Sequence, residues 1–409
     1  MNQIRTNNQP VSTTTPPPIS PLEPKLYTPT FFVLCLSNML FAASFTMIIP
    51  ELPAYLSSLG GAEYKGLIIS LFTLTAGISR PFSGKLTDTV GRMPVMIFGT
   101  LVCVICSLFY PFVLTVGAFL LLRFFHGFST GFKPTASTAY IADIVPPTRR
   151  GEALGIAGIS MNLGASISPP IGSWFTQMYS LDVMFYVSSA AALISILMLL
   201  TLKETLPPKQ KQPFSWKLFK IKWADVYHQS ALAPGFVTLF VYLAFGMMLT
   251  ITPDQSDFLG ISNKGYFFVF VTASSVLSRF VAGRVSDQFG RIPVMQAGII
   301  LMCVSLTVLA YATTPFLFFA GASILGFSQG IVSPAVFAWA IDRSPDDVRG
   351  RAIGTIYIAL EISIGAGAFF SAYFYDNNPQ NFSMVMWFLM VATAIPSFFL
   401  FFYQKNKRA

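Results

Sequence analysis

Long apolar runs, broken by short clusters of glycine, proline and charge, dominate this chain. They predict twelve helical spans, at about 30–52, 66–83, 95–113, 116–142, 152–177 and 182–202, then 234–252, 264–282, 294–312, 315–341, 351–374 and 382–403. Several reach the roughly 20 residues that a bilayer-crossing helix needs. The ~10-residue alternating segments of a membrane β-barrel do not occur. The pattern stops in three places. Residues 1–29, rich in Pro, Thr, Ser and Asn, predict a disordered tail. Residues 203–233 form a polar linker between two six-span halves, 30–202 and 234–403, and residues 404–409 are a short tail. Within the linker Trp216, Phe219, Trp223 and Val226 recur at helical spacing, which predicts an amphipathic helix lying in the membrane plane.

Composition fits this reading. The chain is 54% hydrophobic and 11% charged, against roughly 25% charged residues in a soluble domain. The expected fold class is therefore an all-α, multi-pass membrane protein with the lipid bilayer as its main partner. Twelve spans put both termini on one side. If that side is the cytoplasm, twenty of the twenty-six Lys and Arg residues fall in interior segments and only Lys65 and Lys264 in exterior loops. This obeys the positive-inside rule and places the chain in the inner membrane if the source is bacterial. It also explains the net charge of +9 without nucleic acid. No short apolar core and cleavage site follow the N-terminus closely, so the first span is expected to act as its own insertion signal. Cys35, Cys103, Cys106 and Cys303 lie in apolar runs, and Cys103 and Cys106 lack a second ligand pair. Packed or lipid-facing thiols are expected, with no metal and no cofactor.

The two halves repeat. "GKLTDTVGRMPVM" (Gly84 to Met96) returns 199 residues later as "GRVSDQFGRIPVM" (Gly283 to Met295). The same offset aligns Ser79–Arg80 with Ser278–Arg279, Gly127 with Gly326, Asp143 with Asp342 and Arg150–Gly151 with Arg349–Gly350. A parallel repeat of this kind belongs to carriers whose halves rock about a midplane site. In the hinge itself, Gly84 would let helix ends approach closely, Gly91 permits a tight turn and Pro94 suits the first turn of the next helix.

These hinges resemble the loop signature of the major facilitator superfamily, broadly G-x-L-x-D-x-x-G-R, and the likeness covers the chain after residue 29. It implies interior latches that stabilise an outward-open state, formed here by Gly84, Asp88, Gly91, Arg92, Asp143 and Arg150, and by Gly283, Asp287, Gly290, Arg291, Asp342 and Arg349. "NLGASISPPIG" (Asn162 to Gly172) resembles the antiporter motif of the family's drug:proton exporters, with Ser168 and Ser173 where glycines are usual. "IIPELP" in the first span is similar to the same group. "LLRFFHGFSTG" resembles the family's helix 4 motif, with His126 where glutamine is usual, and this implies a link between Arg123 and proton coupling.

Ionisable residues inside spans are functional candidates, because lipid exposure is costly. Arg123, His126, Thr130, Lys133, Ser137 and Tyr140 recur at +3 or +4. They share one helical face, expected to line a water-filled substrate cavity. Glu361 reads as the only acid inside a span, with Tyr357 one turn earlier and Asn162 as its repeat partner. A buried carboxylate can exchange a proton with a competing substrate, so Glu361 and Arg123 are expected to couple protons, while Asn162 and Tyr357 join the substrate cavity. Arg80 and Arg279 lie near interior helix ends and are expected to snorkel. No catalytic triad, phosphate loop or paired acids stands out, which argues against an enzyme. A monomeric secondary transporter is expected: a proton-coupled exporter of a small organic molecule or, alternatively, an importer of an anionic or zwitterionic metabolite. A non-transporting sensor on the same fold is a remote third reading.

Overall fold

The computed structural model describes residues 27–146, 149–215, 218, 220, 226–345 and 348–408, with backbone alone for 280–284, 287, 349–350 and 406–408. The predicted disordered tail apart from residues 27–29, and Trp216, Phe219 and Trp223 of the predicted linker helix, fall outside these residues.

Helices cover all twelve predicted spans. They are α1 (Pro29–Ser58, with a 3-10 turn at Ile49–Glu51), α2 (Lys65–Thr89), α3 (Arg92–Phe109), α4 (Val116–His126 and Phe128–Ile144), α5 (Arg150–Met178) and α6 (Leu181–Leu200). The second half holds α7 (Leu232–Val241, Leu243–Thr250 and Thr252–Phe258), α8 (Tyr266–Phe289), α9 (Arg291–Ala310), α10 (Pro315–Asp342), α11 (Arg349–Tyr375) and α12 (Phe382–Arg408). Nine of the described helices are long and apolar enough to cross a membrane. The others, in α4, α5 and α8, carry more of the small and polar residues.

Several helices outrun their apolar stretches. α2 was expected to end at 83 but continues to Thr89, and α8 continues to Phe289 rather than 282. Hydropathy marks where charge begins. The helix stops only where the backbone turns, at Gly91 (φ 142°) and Gly290 (φ 90°), values that L side chains rarely adopt. Pro94 and Pro293 then sit in the first turns of α3 and α9.

The repeat extends to packing. α1 packs on α5 as α7 packs on α11, α2 on α4 as α8 on α10, and α3 on α6 as α9 on α12. The α2–α4 contact is a backbone approach that only glycine allows. A Cβ on Gly127 would lie 2.1 Å from the Phe72 carbonyl oxygen, and one on Gly131 1.8 Å from Ser79 Oγ. Their counterparts, Gly326 and Gly330, stand 1.8 Å from the Val271 oxygen and 1.9 Å from Ser278 Oγ by the same measure. The halves meet where α2 packs on α11 and α5 on α8.

Candidate functional site

The hinge residues form matched clusters, one in each half. Arg92 Nε donates to Asp143 Oδ2 at 3.0 Å and Nη1 donates to the Thr87 carbonyl at 2.6 Å, while Asp88 Oδ1 lies 3.4 Å from Nη1. In the second half Arg291 Nε donates to Asp342 Oδ2 at 3.0 Å and Nη1 to Ser286 Oγ at 3.1 Å. Each described cluster ties helix ends within its own half. Arg150 pairs with no acid among the described residues; its Nε donates to the Ala142 carbonyl. The side chains of Asp287 and Arg349 lie outside the described residues, and Gly283 is described by its helical backbone alone. Gly84 also differs from expectation: a Cβ there would meet nothing within 4 Å. It lines an open cleft instead of a close helix contact.

Sequence reasoning missed one hinge partner. Glu204, just past α6, accepts from the backbone N–H groups of Arg92 and Met93, each at 3.0 Å. It satisfies two of the orphan donors at the α3 N-terminus and places negative charge there. Only a glycine at 91 leaves room for it, since a Cβ would lie 2.5 Å from Glu204 Oε2.

The polar stripe of α4 turns away from the inter-half space. Arg123, His126 and Lys133 are fully enclosed within the first half. Arg123 Nε donates to the Ile68 carbonyl at 2.9 Å, and its guanidinium lies over the Phe72 ring. His126 contacts Tyr110 Oη and Cys103 Sγ, both at 3.3 Å. Lys133 Nζ donates to the Ser37 carbonyl at 2.9 Å and to Ser195 Oγ at 2.6 Å. Ser137 accepts from Asn38 Nδ2 at 2.8 Å, and Thr130 bonds back to the Gly127 carbonyl. The +3/+4 spacing defines a face but not what that face meets. Here it meets α1, α2, α3 and α6, so the expected cavity lining at these positions is corrected. The cavity-facing side of α4 carries Pro134, Thr135 and Thr138.

Three cavities border α11. A cleft of about 730 Å³ opens between the halves near the hinge ends and is lined by Arg80, Gly84, Thr135, Arg351 and Tyr357. A second cavity, of about 410 Å³, lies between α5, α7, α8, α10 and α11 and holds Asn162, Arg279, Gln329 and Tyr357. An apolar groove of about 890 Å³ runs along α2 and α11, with Glu361 in its wall. Where they converge, Arg80 Nη2 donates to Glu361 Oε1 at 2.6 Å, and the guanidinium stacks 4.5 Å from the Tyr357 ring. Arg80 therefore does not snorkel to the surface. It reaches across the interface to the other half's buried acid, a pairing that hydropathy placed too near the helix end to reveal.

Contacts at the face opposite the hinges also join the halves. Lys65 Nζ pairs with Asp254 at 2.5 Å, and Lys264 Nζ lies 2.8 Å from Asp257 and 3.9 Å from Glu51. Asn263 Nδ2 donates to the Pro170 carbonyl at 2.9 Å. Lys65 and Lys264 are themselves repeat partners at the 199 offset. Glu51 is 8% exposed and accepts from Ser173 Oγ at 2.6 Å. It is a second buried acid, which corrects the expectation that Glu361 is alone. In the antiporter-like segment, Gly164 and Gly172 press on the Met39 and Met47 carbonyls of α1, the close packing that small residues permit.

Two pseudo-symmetric six-helix halves, with buried polar contacts across their interface and cavities between them, define an integral membrane transporter. The sequence profile of the Major Facilitator Superfamily matches residues 34–272 and again 235–409, and the chain belongs to that family. It is 29% identical over 334 residues to a multidrug resistance protein MdtG of Serratia proteamaculans, covering 78% of this chain and 80% of the relative. It is 27% identical over 321 residues to a multidrug resistance efflux pump PmrA homologue of Lactococcus lactis, covering 75% and 78%. Among solved structures, the peptide transporter POT superposes with a TM-score of 0.76 at 14% identity, covering 92% and 94%. Within the family the chain resembles the drug:proton antiporter-like group.

Proposed function

We propose that this protein is a proton-coupled exporter of a small organic molecule, with both termini in the cytoplasm, working by rocking of its two halves. The observation that carries the proposal is the Arg80–Glu361 pair. It joins α2 of one half to α11 of the other at 2.6 Å, with Arg80 in the wall of the 730 Å³ cleft and Glu361 in that of the 890 Å³ groove. With Glu361 ionised, the pair holds the interface together. Protonation removes the negative partner and frees Arg80, so the proton load and the inter-half contact are linked. Contacts at the face opposite the hinges, with an open cleft near the hinge ends, support an inward-open conformation as the state described. The efflux names of its relatives support the direction of transport.

The test is substrate-dependent proton movement in proteoliposomes, comparing wild type with Glu361→Gln. The variant should bind substrate but lose coupled proton flux. Normal coupling in the variant would remove Glu361 from the mechanism. Substrate accumulation running inward with the proton gradient would replace export by uptake. That alternative uses the same site and is favoured by the cation, rather than an acid, in the 410 Å³ cavity.

A further inference from the structure

Repeat symmetry predicts a second copy of the Arg80–Glu361 pair where α8 meets α5. Arg279 is the counterpart of Arg80, and Asn162 is the counterpart of Glu361, each at the 199 offset. Both line the 410 Å³ cavity. The copy is incomplete: an amide stands where the carboxylate would be. The aromatic partner is missing too. Tyr357, which stacks on Arg80, corresponds to Gly158, and a Cβ on Gly158 would meet nothing within 4 Å. Arg279 has no hydrogen bond or ion pair among the described residues, and its Nε is buried without a partner. Nε2 of Gln329, in the same cavity, is also buried and unpartnered. No carboxylate lines this cavity among the described residues.

Buried donors in native proteins are nearly always satisfied, and an exception asks for a ligand or an ion. An unpaired guanidinium is costly to bury and matches a carboxylate through two parallel N–H···O bonds. We infer that the cavity is an anion subsite: Arg279, with Gln329, receives an acidic group of an organic substrate in the place that Glu361 occupies beside Arg80. Tyr242, which donates to Ser333 Oγ at 2.7 Å, and Phe245 supply the apolar and hydroxyl wall against which the rest of a compact molecule packs. Divergence of the two repeats then divides the work. One arginine keeps an internal carboxylate that responds to protons, and the other has lost its own so that the substrate supplies it. The inference rests on reading the inter-half cavity as the substrate site, but not on the direction or coupling of transport.

The test is equilibrium binding to the purified full chain in lipid nanodiscs, without any gradient. The probes are naphthalene-2-carboxylate and its near-isosteric cation, naphthalen-2-ylmethylammonium. Wild type should prefer the carboxylate by about tenfold or more, since a hydrogen bond to a charged group is worth that much. Arg279→Gln should weaken carboxylate binding by about 10- to 100-fold, with Arg279→Lys recovering part of it. Asn162→Asp should also abolish it, by restoring to Arg279 the internal partner that Arg80 has. The readout is binding without a gradient, so a failed antiport assay leaves this result standing. Size-exclusion profiles check that each variant is folded. If Asn162→Asp binds the carboxylate normally, if Arg279→Gln changes affinity less than twofold, or if wild type shows no preference for the anion, the inference is overturned.

Discussion

Lys65 and Asp254 offer the sharpest test of which state the protein prefers. Lys65 opens α2, Asp254 lies in the last segment of α7, and their side chains are 11% and 16% exposed. For charges about 4 Å apart the Coulomb term is about 4 kcal/mol at an effective dielectric of 20. Fully exposed pairs net about 0–1 kcal/mol, and removing one partner of a buried pair costs about 3–5 kcal/mol. This pair lies between those limits, so about 2 kcal/mol is expected. If opening of that face separates the pair, Asp254→Asn should shift the equilibrium about 30-fold toward the state open there. Spin labels on Tyr179 and Tyr311, exposed at that face in opposite halves, would report the shift as a longer distance population in pulsed dipolar spectroscopy. The charge swap Lys65→Asp with Asp254→Lys should return the distribution toward wild type. An unchanged distribution in Asp254→Asn, or a swap no closer to wild type than the single variants, would refute the idea that this pair holds the closed face.

Other positions test separate parts of the argument. Gly330→Val places atoms against Ser278 Oγ and the Ser275 carbonyl and should cost about 1–3 kcal/mol, read as a lower Tm and reduced yield in detergent. Glu204→Ala leaves the Arg92 and Met93 N–H groups without their acceptor and should cost about 1–2 kcal/mol, again read in thermal unfolding. A Tm equal to wild type would show that water replaces the cap. Gly84→Val faces open space here, so its Tm should be unchanged. If the halves close over that cleft during transport, its turnover should fall, and wild-type turnover would show that the cleft stays open.

What could be read from the sequence was whatever repeats or recurs with a period. Helix locations followed from apolar runs, and the 199-residue offset aligned Arg92 and Asp143 with Arg291 and Asp342, which the structure pairs at the same 3.0 Å. Partners were harder. The α4 stripe was visible at Arg123, His126 and Lys133, but one-dimensional spacing cannot choose between a cavity and four neighbouring helices. Arg80 was expected to snorkel because the apolar span ends at 83, although the helix carries on to Thr89. Glu204 left no signal, since a cap contributed from 112 residues away has no local pattern. Asn162 was visible as the partner of Glu361, and only the placement of Arg279 gave that mismatch a meaning.

The linker also sets a mechanical limit. Gln212 N–H donates to the Thr89 carbonyl, and Lys85 Nζ donates to the Lys220 carbonyl, so the linker is moored to the first half as far as Lys220. His228 N–H donates to Thr355 Oγ1, mooring it to the second. Each half therefore holds one end of the linker, and any separation of the halves has to be taken up between those two moorings. The stiffness of the switch resides in the few polar contacts at the interface.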